Sequence, residues 1–204
     1  MKHDIDLSIT FLKLSRTKCL RITSINISSS ILVIEDPSFS QCKLLRSISV
    51  DPDNMQFASL DGVLFTKNFD TLLCYPSHHV STSYTIPSSV TSIGDKAFFG
   101  CFELTSITIP SSVTSIGDKA FSRCFRLQSI DVESNNLNFV SQDGILFTKN
   151  LEVLICFPSN HQFTTYQIPT SVTSIADSAF YHCSKLESIT IPTSVTSIGD
   201  SAFY

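Results

Sequence analysis

The segment Ile86-Pro87-Ser88-Ser89-Val90-Thr91-Ser92-Ile93-Gly94-Asp95-Lys96-Ala97-Phe98 recurs, unchanged, as Ile109-Pro110-Ser111-Ser112-Val113-Thr114-Ser115-Ile116-Gly117-Asp118-Lys119-Ala120-Phe121. The period is 23 residues, from Ile86 to Ile109. That is too short for a domain and fits one coil of a solenoid, in which each unit buries its apolar side chains against its neighbours. Within a coil, Leu104, Ile107 and Ile109 have the spacing of a short strand, and Pro110 ends it by removing a backbone donor. Val113 and Ile116 form a second apolar pair, with Ile116 expected to be fully buried against Ile93. Gly117 is read as permitting a turn, and Asp118 as capping a short helical turn that carries Ala120 and Phe121.

Upstream, Ile27, Ile31, Ile34, Phe39, Cys42, Leu45 and Ile48 match Ile86, Val90, Ile93, Phe98, Cys101, Leu104 and Ile107 at a constant offset of 59. That offset leaves a different, 36-residue module at Val50–Thr85, which returns at Val132–Gln167. Asp61-Gly62-Val63-Leu64-Phe65-Thr66-Lys67-Asn68 is matched 82 residues later by Asp143-Gly144-Ile145-Leu146-Phe147-Thr148-Lys149-Asn150. Two apolar runs, Val63–Thr66 and Thr71–Tyr75, flank a polar turn and predict a hairpin. The chain divides into a degenerate N-terminal coil or cap over 1–26 and an array over 27–204. The array splits into 27–49, 50–85, 86–108, 109–131, 132–167, 168–190 and a partial 191–204. The last segment has Ile191, Val195, Ile198, Ala202 and Phe203 but no polar capping sequence. It is expected to exchange amides faster than 86–131 and to self-associate.

Charged residues are 16% of the chain, against ~25% in average soluble domains, and Ser and Thr supply the missing polarity. A net charge of −4 argues against nucleic acid and against a polybasic membrane-surface role. No stretch reaches the ~20 apolar residues of a membrane-spanning helix. Met1-Lys2-His3-Asp4-Ile5-Asp6 places acids where a signal peptide needs bases.

At Leu104–Cys124 the chain resembles the BspA-type leucine-rich repeat family, whose signature runs Leu-x-x-Ile-x-Ile-Pro-x-Ser-Val-x-x-Ile-Gly-x-x-Ala-Phe-x-x-Cys. The pattern recurs at Ile168–Cys183 with Ala176 in place of the glycine, and begins again at Leu186–Phe203. The resemblance implies a leucine-rich-repeat solenoid: a curved parallel β-sheet of ~23-residue coils, two hairpin-containing modules and short helical turns on the convex side. It also implies a microbial surface antigen of adhesin type that contacts host or matrix macromolecules, located at the cell surface.

Catalysis has no visible centre. There is no Gly-x-Ser-x-Gly elbow and no phosphate-cradling glycine loop, and the pairs Asp61-Gly62 and Asp143-Gly144 read as turns. No cofactor or metal is called for. Cys19, Cys42, Cys101, Cys124 and Cys183 occupy one repeat column and read as buried thiols rather than inter-coil disulfides. Cys74 and Cys156 align with the outward Thr108 position, though the inward phase stays open. His78, His79 and His161 fall in equivalent loops and read as solvated, in preference to a metal site formed by Cys156, His161 and a carboxylate. Lys13, Arg16, Lys18, Arg21, Lys43 and Arg46 form a basic edge diluted by Glu35 and Asp36.

The candidate binding residues are therefore the outward positions of the concave sheet: Thr105, Ser106, Thr108, Gln128, Ser129, Asp131, Glu187, Ser188 and Thr190. They predict a non-enzymatic module that binds a protein or other macromolecule weakly at each site, because aromatic and Arg anchors are lacking. The alternative is an intracellular structural scaffold or spacer with no fixed ligand.

Overall fold

The computed structural model describes residues 11–12, 19, 21–34, 39 and 42–204. The chain is a parallel β-solenoid of about 7 coils of ~23 residues. One wall is built from a three- or four-residue strand per coil. Ser83–Thr85, Ser106–Ile109 and Ser129–Val132 pair in parallel, with Ser106 opposite both Ser83 and Ser129, one period away on each side. Ile107 and Ile109 point into the core and are fully buried, while Ser106 and Thr108 face out. Ser24–Ile27 pairs with Ser47–Val50, and Thr165–Gln167 with Ser188–Thr190, in the same way. A second wall carries two-residue strands: Ser92–Ile93 pairs with Ser115–Ile116, and Ser174–Ile175 with Ser197–Ile198.

The third wall corrects the expected helical turns, since no helix occurs among the described residues. Lys96, Lys119, Ser178 and Ser201 have φ of 54°, 55°, 55° and 54°, a left-handed conformation that stops helical bonding at once. The amides bond between coils instead: Lys96 N to Asp118 O, Phe98 N to Ala120 O and Gly100 N to Ser122 O, each 2.9 Å. Asp118 does not cap its own turn. Its N–H donates to Asp95 Oδ1 of the preceding coil at 2.8 Å, and Asp200 N donates to Asp177 Oδ1 at 2.7 Å. Nor is Gly117 there for a left-handed turn. A Cβ on it would lie 2.3 Å from Asp95 Oδ1 and 2.5 Å from Asp95 N, so the residue is small to let the two coils touch. Ala176, at the matching position, stacks on a hairpin module, its N–H donating to Leu154 O at 3.0 Å.

Each 36-residue module is a three-stranded antiparallel meander rather than a two-stranded hairpin. The first holds Phe57–Leu60, Val63–Thr66 and Thr71–Cys74; the second holds Phe139–Gln142, Ile145–Thr148 and Val153–Cys156. The last strand of each returns to the solenoid and pairs in parallel with the next coil, Leu72 opposite Ile93 and Leu154 opposite Ile175. The Asp-Gly pairs are the hairpin turns, with φ of 51° and 83° at Asp61 and Gly62 and of 52° and 80° at Asp143 and Gly144. On the long-strand wall the turn takes the place of a neighbouring strand: Ile48 N donates to Gly62 O and Ile130 N to Gly144 O, both at 2.8 Å.

These insertions break both walls. Ser115–Ile116 is the last strand of its sheet, and the second meander belongs to another. Ile116 is consequently half-buried rather than fully buried, and it borders a cavity of about 160 Å³ with Phe121, Phe139 and Ile155. The core continues past the break through Phe139, Leu146 and Cys156. Aromatic rings stack in two runs on either side of it, Tyr75–Phe98–Phe121 and Phe157–Phe180–Phe203, at centroid distances of 5.1 to 5.6 Å.

Candidate functional site

The outward positions of the long strands form a polar ladder. Ser106 stands opposite Ser129 and Thr108 opposite Asp131. Gln128, Asp131, Glu187, Ser188 and Thr190 are exposed, and Thr105, Ser106, Thr108 and Ser129 are half-buried. Thr105 Oγ1 is committed to Thr82 O at 2.8 Å, and Ser129 Oγ reaches Asp131 Oδ2 at 3.4 Å. The nine candidates do not share one sheet. Glu187, Ser188 and Thr190 belong with strand Ser188–Thr190, which among the described residues pairs only with Thr165–Gln167, and the Asp143-Gly144 turn closes the edge of strand Ser129–Val132.

At this interruption the wall opens into a notch of about 380 Å³, walled by Gln128, Ser129, Asp143, Asn160, Gln162 and Lys185, with His161 also lining it. Gln128 and Ser129 come from the ladder, Asp143 from the hairpin turn, Asn160 and Gln162 from the return loop, and Lys185 from the next coil. Asn160, Gln162 and Lys185 were not legible as site residues from periodicity alone. They share a place only because the meander folds back, and the one signal for it is the 82-residue offset that relates the two modules.

His161 is not solvated: it is 3% exposed. Its Nε2 lies 2.7 Å from Asp143 O, a carbonyl that can only accept, so Nε2 carries the proton. Its Nδ1 accepts from Phe163 N at 3.2 Å, which fixes a neutral imidazole tying the hairpin turn to the return loop. His79 repeats the arrangement with Asp61 O at 2.9 Å and Ser81 N at 3.2 Å, and its Nδ1 also lies 2.9 Å from Tyr75 Oη. Among the described residues no group of three His, Cys, Asp or Glu side chains is placed to hold a metal ion.

All seven cysteines are thiols. Cys42, Cys101 and Cys124 are buried, and Cys124 Sγ donates to Phe98 O of the preceding coil at 3.0 Å. Burial pushes the Cys101 and Cys156 thiols well up, and Cys183 up to about 12. Cys156 does not face out. It is 8% exposed, in phase with Leu154 on the inner face of its strand, whereas Cys74 is half-buried. Cys74 Sγ and Cys101 Sγ both donate to Tyr75 O, at 3.7 and 3.6 Å, so the module cysteine joins the same column. Of the basic edge, Arg21, Lys43 and Arg46 are exposed, while Lys13, Arg16, Lys18, Glu35 and Asp36 lie outside the described residues.

Short coils, one outward polar strand per coil and inter-coil hydrogen bonds on every wall define the class as a leucine-rich-repeat solenoid. The chain belongs to the family described as BspA type leucine-rich repeat region, which matches it in six copies over residues 15–67 and 74–204. Among solved structures it is similar to a leucine-rich cell surface protein from Faecalibacterium prausnitzii, with 29% identity, a TM-score of 0.61, and coverage of 88% of this chain and 48% of that one. A leucine-rich repeat protein from Eubacterium ventriosum aligns at 24% identity and a TM-score of 0.59, over 89% of this chain and 58% of that one. The pneumococcal vaccine antigen PcpA aligns at 23% identity and 0.58, over 89% and 36%. The chain thus spans less than two thirds of the length of each. No curated protein sequence matches it. Among the described residues no helix is long and apolar enough to cross a membrane.

Proposed function

We propose that the chain is a non-enzymatic interaction module of surface-antigen type, in which the array over 27–204 presents its long-strand face to a host or matrix macromolecule. The observation that carries this reading is the ladder of outward hydroxyl, amide and carboxylate side chains, held in fixed register between Ser106–Ile109 and Ser129–Val132. A rigid, evenly spaced polar face suits recognition of an extended partner. The likeness to a leucine-rich cell surface protein supports the same assignment. With no aromatic or Arg anchor among the nine candidates, each contact is weak, and binding gains strength from multiple displayed copies. Self-association through the segment 191–204 is part of this proposal.

The test is surface plasmon resonance of the 204-residue chain against immobilised extracellular-matrix proteins, with Thr108→Lys and Asp131→Lys as ladder variants. Binding that falls about tenfold in both supports the reading, one tenfold step being ~1.4 kcal/mol. Binding that is indifferent to both variants sinks it. The bare polarity of the face also favours a second reading, a spacer with no fixed ligand, and the same experiment supports that one if no matrix protein is retained.

A further inference from the structure

We propose that the notch at the second hairpin is a binding site for a neutral saccharide unit. The argument starts from its walls. Gln128, Ser129, Asp143, Asn160, Gln162 and Lys185 enclose about 380 Å³ without one apolar side chain among them. A peptide anchor buries carbon and needs an apolar pocket, which this is not. The side chains of Gln128, Asn160, Gln162 and Lys185 line the notch and make no hydrogen bond or ion pair with another described residue, so their hydrogen-bonding capacity is open to a ligand there.

The charges narrow the class. Asp143 and Lys185 cancel in charge, so the notch has no net pull on an anion or a cation and suits a ligand without net charge. Three carboxamides each bring one acceptor and two donors, Ser129 brings both, Asp143 only accepts and Lys185 only donates. Donors and acceptors in such mixture suit a ligand whose groups are both at once. That is the chemistry of a sugar's hydroxyls. The backbone frame is held in place: His161 fixes the Asp143 carbonyl at 2.7 Å, and Asn160 N is bonded to Leu127 O at 2.8 Å, so the ordering left for binding is that of the rim side chains.

The first module provides an internal control. At the positions 82 residues earlier, Ser47, Asp61 and His79 repeat Ser129, Asp143 and His161. The rim changes completely there: Arg46 stands for Gln128, His78 for Asn160, Val80 for Gln162 and Glu103 for Lys185. Glu103 is moreover taken up by an ion pair with Arg126. The carboxamides are gone, and the first module is not expected to hold the same ligand.

The experiment is a two-dimensional amide NMR titration of the full chain with methyl glycosides of neutral hexoses, and with a hexuronate and a hexosamine as charged probes. Saturable shifts on the side-chain amides of Gln128, Asn160 and Gln162 are expected with neutral hexosides. The Kd should be of millimolar order, as suits a ligand of about a dozen non-hydrogen atoms. The fourfold variant Gln128→Arg, Asn160→His, Gln162→Val, Lys185→Glu installs a rim that the fold already carries in its first module. It should weaken binding about tenfold or more, since each lost polar partner costs roughly that factor. No saturable shift with any neutral hexoside overturns the proposal. So does affinity unchanged in the fourfold variant, or binding of only the hexuronate or only the hexosamine. Because Thr108 lies outside the notch, sugar binding that survives Thr108→Lys while macromolecule binding is lost shows the two readings to be separable. Loss of sugar binding alone leaves the macromolecular reading standing.

Discussion

At Val50–Thr85 and again at Val132–Gln167 the chain builds the same meander from sequences that agree only in part, and the agreements are not spread evenly. Asn54 and Asn136, each fully buried, do one job. Asn136 Nδ2 donates to Pro110 O and Val113 O at 2.8 and 3.0 Å, and its Oδ1 accepts from Asn138 N and Phe139 N, both at 2.8 Å. Asn54 does the same for Ser28 O, Ile31 O, Gln56 N and Phe57 N, at 2.8 to 2.9 Å. The Asp-Gly turns and the two imidazoles are shared as well. Differences gather where side chains meet solvent. Asp70 accepts from Thr66 Oγ1 at 2.6 Å, which with Thr71 holds its carboxyl below the usual range, while at the matching turn Thr148 Oγ1 bonds Asn150 Oδ1 at 2.8 Å. Positions that satisfy buried backbone repeat in both modules, and the rim positions do not.

This division can be attacked in order of expected effect. Asn136→Ala should cost about 3–5 kcal/mol in urea denaturation, because four backbone groups lose their partner in a buried place, and Asn54→Ala should cost nearly as much. Widely unequal losses would mean that the two frames are not equivalent. Gly144→Ala comes next at about 2–3 kcal/mol, from left-handed strain and a Cβ 2.8 Å from Ser129 Cβ. Gly62→Ala, with 3.1 Å to Ser47 Cβ, should cost less, and the reverse order in melting temperature would contradict the turn geometry.

His161→Ala should lose about 1–2 kcal/mol, more than His79→Ala, because water can replace the partners of the half-buried His79 but not those of His161. Equal effects in the same denaturation assay would show that burial does not separate the two latches. The smallest test leaves the protein native. Iodoacetamide should label Cys74 before Cys156, as the former is half-buried and the latter 8% exposed with its thiol pushed up by burial. Mass spectrometry finding Cys156 modified first would reverse the strand phase assigned to Val153–Cys156.

Much of this architecture is written in the periodicity. Leu104, Ile107, Ile109 and Val113 are buried where a 23-residue repeat puts them, because stacking gives every coil the same neighbours. The repeat fails as a guide where neighbours differ. Ile116 has the sequence of a core residue, yet the next unit is a meander and leaves its strand at a sheet edge. Phe57–Leu60 was invisible as a strand because its residues are half-buried or exposed without alternation, and its pairing is with the backbone of Val63–Thr66. Lys119 gave no sign of its left-handed backbone, being neither Gly nor Asn. The reading of His161 as solvated fails for a related reason. Its partner is a carbonyl, and every residue has one of those.

The contact between Asp95 and the Asp118 amide has a bearing on descent. A coil that offers a carboxylate to the unit after it, and an amide to the unit before it, is a self-contained hereditary token. Gain or loss of 23 residues at any point between such coils rejoins matched ends, and the gap closes without a compensating mutation elsewhere. The 36-residue meanders join the stack differently, through a last strand that pairs in parallel with the next coil, Leu72 opposite Ile93 and Leu154 opposite Ile175. Whole coils are thus interchangeable units of the stack, whereas the two meanders present different edges to their two neighbours.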